Sequence, residues 1–167
     1  MNRLLLLLLL LLMLISAACQ ESRQAMIPGW SEPAAGAAHE PVYVPAMCSL
    51  IGNETRSVVP AGHPVIVMWG WSAATEGQVR DYIRTRIEAV TFDGVELHGE
   101  QKGEIPYDDA AKLFRAVWMA ELGVVDPGIH TLTYRLTFSE KIFDGKEYYG
   151  PGTGREKQED TCEIEVK

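Results

Sequence analysis

The stretch His130 to Ser139, HTLTYRLTFS, alternates without a break. His130, Leu132, Tyr134, Leu136 and Phe138 fall on one side, and Thr131, Thr133, Arg135, Thr137 and Ser139 on the other. Successive side chains of a strand point to opposite faces, whereas a helix gathers residues three and four apart. A period of two held this long, in β-branched and aromatic residue types, predicts a strand with one face buried and one in water. Such a strand needs neighbours beside it and a second layer over its apolar face.

Further segments supply both. Val65 to Trp71, VIVMWGW, is apolar on both faces, as a central strand is, and follows the turn Pro60-Ala61-Gly62-His63-Pro64. Leu113 to Leu122, LFRAVWMAEL, sets Phe114, Ala116, Trp118 and Ala120 on one face. It is separated from the 130–139 strand by the turn signal Asp126-Pro127-Gly128, so an antiparallel pairing of these two is expected. Ile87 to Phe92, then Asp93-Gly94, then Val95 to Leu97 carries a hairpin signature. The closing DTCEIEVK turns Cys162, Ile164 and Val166 inward. One segment departs from the β pattern: Val79, Tyr82, Ile83 and Ile87 form a helical stripe, which predicts a short helix over about Glu76 to Thr85. Seven or eight strands with one inserted helix make the expected fold mainly β, an antiparallel β-sandwich over residues 42–167.

The other end of the chain carries an address. Arg3 precedes twelve apolar residues, Leu4 to Ile15, and small Ser16, Ala17 and Ala18 come just before Cys19. A basic start, an apolar core and a small-residue exit make an export signal. A membrane-spanning helix takes about 20 apolar residues, and the polar Gln20 to Gln24 prevent this one from being extended. Lipidation of Cys19, plain secretion with Cys19 unmodified, and an uncleaved anchor are the three fates open to such a leader.

Ile15-Ser16-Ala17-Ala18-Cys19 resembles the lipobox of bacterial lipoproteins, with Ser16 where that family most often has leucine. The resemblance implies a signal peptide, residues 1–18, cut off ahead of Cys19. It implies a diacylglycerol on the Cys19 sulfur and a further palmitate-type acyl chain on its amine. Each buried CH₂ contributes about 0.8 kcal/mol, enough with several chains to hold the protein on a bilayer. Gln20 in place of aspartate implies outer-membrane delivery in a cell that has an outer membrane. The expected location is therefore a cell membrane or outer membrane, lipid-anchored, with the domain on the extracytoplasmic side.

With Cys19 acylated, an odd count of three cysteines becomes an even two, Cys48 and Cys162. An exported pair of this kind is expected to be a disulfide tying the start of the folded region to its last strand. The chain has no Cys-x-x-Cys motif to favour a redox pair instead. Between anchor and domain, residues 19–41 combine the lipidated N-terminus with a linker rich in Ala, Pro, Gly and Glu. The chain has 15 basic and 23 acidic residues, a formal charge of −8, and cleavage before Cys19 removes Arg3 and takes it to −9. An acidic domain without a basic run is not a partner for nucleic acid.

PAGHPVIVMWGW together with DPGIHTLTYRLTF resembles immunoglobulin-like domains of bacterial envelope proteins. The inserted helix and a cysteine pair joining the ends depart from that pattern. The whole chain is similar to uncharacterised bacterial lipoproteins, a resemblance that names no activity.

Chemistry is harder to find. His39, His63, His98 and His130 are scattered without metal-ligand spacing, so no metal and no cofactor is expected. His130 opens a strand on its apolar face and is expected to be a hydrogen-bonded core residue. Neither a Gly-x-Ser-x-Gly elbow nor a phosphate-binding glycine loop is present. The Gly150-Pro151-Gly152-Thr153-Gly154 run reads as a flexible loop, and Asp108-Asp109 and Glu159-Asp160 as solvated charge. No catalytic residue is expected, and the chain is not expected to be an enzyme. Aromatic residues give the one functional hint. Trp69 and Trp71 share a face of a central strand and are expected in the core, whereas Tyr107, Tyr148 and Tyr149 border loops. Trp71, Tyr107, Tyr148 and Tyr149 are the candidate ligand-binding residues, with a pocket expected between the inserted helix and the loop after Tyr149. The expected function is a non-catalytic binding module for an envelope protein or polysaccharide. The alternative is a carbohydrate- or small-ligand-binding lipoprotein.

Overall fold

A computed structural model describes residues 30–31, 39–49 and 55–167; the leader, Cys19 and most of the linker lie outside the described residues. Two sheets share a single core in a β-sandwich-like arrangement. The first runs β1 (Trp30–Ser31), β9 (Leu113–Val125), β4 (Pro64–Ala73), β2 (Val42–Pro45), and the short β7 (Glu100–Gln101) and β8 (Tyr107–Asp108) also pair with β9. The second runs β3 (Arg56–Val59), β13 (Lys157–Val166), β10 (Gly128–Phe138), β5 (Arg86–Phe92), β6 (Val95–Glu96). A small ribbon, β11 (Ile142–Phe143) with β12 (Tyr148–Tyr149), and one helix, α1 (Glu76–Thr85), complete the described elements. Both sheets are mixed, not purely antiparallel, because β2 joins β4 and β3 joins β13 in parallel.

The alternation in β10 is realised as expected: Leu132, Tyr134 and Leu136 are fully buried, and Thr131, Arg135 and Thr137 face water. In β13 the inward set is Cys162, Ile164 and Val166. The expected hairpin joins β5 to β6, pairing Thr91 with Glu96 and Phe92 with Val95. Asp93 and Gly94 at its tip both take positive φ, 49° and 80°. A turn of that hand matches the twist of the strands it connects.

The helix occupies Glu76–Thr85, as its stripe predicts. The Thr75 hydroxyl accepts from the Gln78 N–H and the Gln78 side chain accepts from the Thr75 N–H, a reciprocal cap that starts the first turn. Val79 and Tyr82 are buried. Ile87, by contrast, does not belong to the helical stripe. Arg86 turns extended, with φ −66° and ψ 141°, and puts Ile87 into β5 with 61% of its surface exposed.

The pairing expected for 113–122 is overturned. β9 lies against β4, with Trp69 opposite Trp118 and Trp71 opposite Ala116, while β10 lies between β13 and β5 in the other sheet. Asp126-Pro127-Gly128 is thus a corner between sheets rather than a hairpin. Pro127 has no N–H to offer a ladder, and Gly128 takes φ 152°, a value that L side chains rarely adopt. The chain crosses over, and both strands turn their apolar faces to the same core.

Cys48 and Cys162 are bonded, their Cα atoms 6.0 Å apart. Cys48 follows β2 of the first sheet and Cys162 lies within β13 of the second, so the bridge crosses the sandwich. Both sulfurs are buried, at 5% and 0% residue exposure. The cluster of Cys48, Asp160 and Cys162 has metal-like proximity, but its thiols are spent in the disulfide. The Asp160 carboxylate instead accepts from the Ser49 and Thr161 N–H groups.

Two residues along β10 from the position opposite Cys162, His130 staples two turns. Its Nδ1 lies 2.7 Å from Asp93 Oδ2 and its Nε2 lies 2.9 Å from the Asp126 carbonyl oxygen, while its ring stacks on Phe92 at 5.2 Å. Carboxylate and carbonyl are both acceptors, so both bonds form only with the doubly protonated ring. Burial acts to lower the pKa of His130, but the bonds to Asp93 and to the Asp126 carbonyl, with the nearby carboxylate charges, outweigh it and raise the pKa above the ordinary imidazole value.

Reducing the disulfide is expected to cost about 2–5 kcal/mol, given the 114-residue separation it closes. Urea unfolding with and without reductant measures it. For His130, the raised folded-state pKa means that its contribution is fully present below about pH 6.5 and is lost as pH rises through the folded value. Thermal melts across that window should lose stability as pH rises in the wild type, and the His130→Gln chain should lack this component.

Candidate functional site

A cleft of about 480 Å³ opens between the two sheets beside the C-terminal end of α1. It is lined by Arg86 and Glu88 of β5, by Trp69 and Trp118 of the opposite sheet, and by Glu96 and His98 of the segment leaving the hairpin. Each side chain is placed by the local chain path. Arg86 follows the last helical residue, where its N–H caps the Tyr82 carbonyl. The alternation of β5 then turns Arg86, Glu88, Val90 and Phe92 toward the interior, with Ile87 outward.

Two charges pointing into a sandwich require partners. Arg86 Nε donates to Glu88 Oε1 at 2.7 Å, and its Nη1 donates to the Ile83 carbonyl at 2.9 Å. The guanidinium lies over the Trp118 ring, 4.1 Å from its centroid. The Tyr82 hydroxyl donates to Glu88 Oε2 at 2.9 Å. Exposure of the two side chains is only 20% and 13%, so this network is largely shielded from water. Burial, reinforced by the charges of Tyr134 and Glu88, pushes the Tyr82 hydroxyl far above its ordinary range. It is a permanent donor at any ordinary pH.

The cleft is walled by indoles rather than offering them. Trp69 and Trp118 are 5% and 4% exposed. Gly99 roofs Trp69 so closely that an added Cβ would fall 2.2 Å from the indole Cη2. Arg86 covers a face of Trp118.

The four aromatic residues singled out in the sequence do not converge. Trp71, at 9% exposure, stacks on Tyr82 with centroids 4.7 Å apart and rings 4° from parallel, and meets Phe138 and Tyr149 edge-on. Tyr149 is 8% exposed, and its hydroxyl is pushed up to about 12 by burial and by the Asp144 and Glu147 charges. The two therefore fill the space between α1 and the loop after Tyr149 where a pocket was expected. Tyr148, 53% exposed, packs on Phe143 beneath the Lys141 ammonium. Tyr107, 46% exposed, rests on Phe114. The expected flexible loop is a tight turn, closed by Gly150 pairing with Arg155 and by a bond from the Thr153 hydroxyl to the Gly150 carbonyl.

Sequence reading missed Arg86 and Glu88. A signal was present: both share the period-two phase of buried Val90 and Phe92, so a charge there must either break the strand or be paired inside. His98 joins them through the path of the hairpin, which no periodicity marks.

The Arg86–Glu88 coupling is testable by a double-mutant cycle of Arg86→Met and Glu88→Gln. The expected interaction energy is about 1–3 kcal/mol in urea unfolding, well above the value for an exposed ion pair. The single variant that strands Arg86 should be the more destabilised.

No protein-family model matches the chain, and no curated protein matches it. Among solved structures, it is similar to a cysteine protease inhibitor from Entamoeba histolytica at 9% identity and a TM-score of 0.39, over 79% of this chain and 100% of that one. A likeness of that size carries no activity across.

Proposed function

We propose that the chain is a lipid-anchored, non-catalytic binding module of a bacterial cell envelope. In this reading residues 1–18 are removed, Cys19 is acylated, and the linker between Cys19 and β1 holds an immunoglobulin-like sandwich away from the membrane. The observation that carries it is the pairing of Cys48 with Cys162. A buried disulfide suits an oxidising compartment outside the cytoplasm, and it leaves Cys19, at the end of the leader, as the cysteine without a disulfide role. Among the described residues no helix is long and apolar enough to cross a membrane.

A binding role without catalysis is supported by the way polar groups are spent. His130 has both ring nitrogens committed to bonds between turns, and Glu88 has both oxygens committed to Arg86 and Tyr82. The partner is an envelope protein or polysaccharide. The carbohydrate alternative is weakened by the burial of Trp71 and Tyr149, which leaves neither ring open for stacking on a sugar.

Replacing Cys19 with Ala should shift the protein from the detergent phase to the aqueous phase on phase partitioning and abolish labelling by a palmitate analogue. Retention of the variant in the detergent phase would refute the lipid anchor.

A further inference from the structure

We infer that the open edge of β5 is a docking site for an extended segment of a partner protein, one that alternates basic and apolar residues and joins the second sheet as an added strand. The inference deepens the reading of this domain as a binding module and names the class of partner.

Hydrogen-bond parity identifies the free edge. The Ser139 N–H donates to the Thr85 carbonyl, so the odd-numbered residues of this segment bond to β10. The Leu97 N–H donates to the Val90 carbonyl, so the even-numbered ones face the other way. There β6 covers Thr91 and Phe92, and Leu97 occupies the place beside Val90. The Arg86 carbonyl and the Glu88 N–H and carbonyl meet no strand among the described residues. An unpaired run of donors and acceptors is a template for strand addition.

Hollows flank this edge on both sides. The cleft described above lies on the inner side, and a shallower depression of about 240 Å³, lined by Ile87, Ala89, Arg135, Thr137 and Lys157, lies on the outer. Ile87 and Glu88 border both. The side chains of an added strand alternate between faces, so one set enters the cleft and the other lies across the outer depression. Main-chain bonds then supply affinity, and the two hollows supply selectivity.

Charge and polarity select the occupant. Glu88 and Glu96 line the cleft against the single cation Arg86, whose guanidinium is already held by Glu88, the Ile83 carbonyl and Trp118. The remaining carboxylate charge favours a lysine or arginine on the inward phase. Ile87, 61% exposed, offers an apolar landing for the outward phase. A second copy of this chain, with formal charge −8, brings like charge to the same place and is disfavoured.

The test uses the full chain in detergent and a capped peptide alternating valine and lysine. Two further versions carry N-methyl groups on alternate amides, one in each phase. The plain peptide should bind and protect the Glu88 amide from hydrogen exchange. One methylated phase should bind about tenfold or more weakly and the other like the parent, because only one phase faces β5. Ile87→Lys, a change at an exposed position, should weaken binding several-fold while leaving the melting temperature near wild type. Equal binding of both methylated peptides, or no added protection at Glu88, would overturn the proposal. So would a concentration-dependent dimer that Ile87→Lys dissolves, since that outcome gives the edge to a second copy. Membrane partition of the Cys19→Ala chain is a separate readout, so failure of the anchor and failure of the docking edge are told apart.

Discussion

The stack of Trp71 on Tyr82 is the contact on which the arrangement turns. Trp71 belongs to the first sheet, Tyr82 to the helix, and Phe138 of the second sheet meets both rings. A strand from each sheet and the helix thus share one aromatic cluster, whose pairs are each worth about 0.5–1.5 kcal/mol beyond the area they bury. Because Tyr82 is held there, its hydroxyl reaches Glu88, and the exit of the helix brings Arg86 over Trp118. The cleft and the path of β5 are consequences of where one tyrosine ring lies.

That arrangement carries costs. The indole N–H groups of Trp69 and Trp71 are buried without a partner among the described residues. Each such group forfeits about 1–3 kcal/mol. The core tolerates them because the rings bring large apolar areas into contact on both sheets. The inward-facing charges of β5 act similarly at the edge. Arg86 and Glu88 weaken the core locally, yet charges turned inward on an edge strand discourage indiscriminate pairing. An edge guarded in this way favours a partner of matching charge.

Much of the fold was legible in the sequence because burial has a period. The faces of β10 and β13, the Asp93-Gly94 hairpin, the helix over Glu76–Thr85 and the Cys48–Cys162 pair were all readable from spacing and residue type. Periodicity states which face of a strand is buried, not which strand lies beside it. For that reason the partner of β9 was misread, and Asp126-Pro127-Gly128 passed for a hairpin when it is a corner. Tyr148 and Tyr149 show the same limit in miniature. Adjacent residues of a strand must face opposite ways, and only the packing of Trp71 decided that Tyr149 was the one to go inside.

The cross-sheet disulfide also sets how the molecule carries mechanical load. A pull applied through the N-terminal segment meets β1 on β9 and then β2, which is bound to β4 in parallel register, and reaches Cys48 a few residues later. From there the force passes covalently to Cys162 in β13, bypassing the chain between them. A load drawn between the two ends of the chain can peel only the residues before Cys48 and those after Cys162. The aromatic cluster, the cleft and the β5 edge all lie within the shielded loop. A domain pulled from its two ends would, between those two points, be a closed ring.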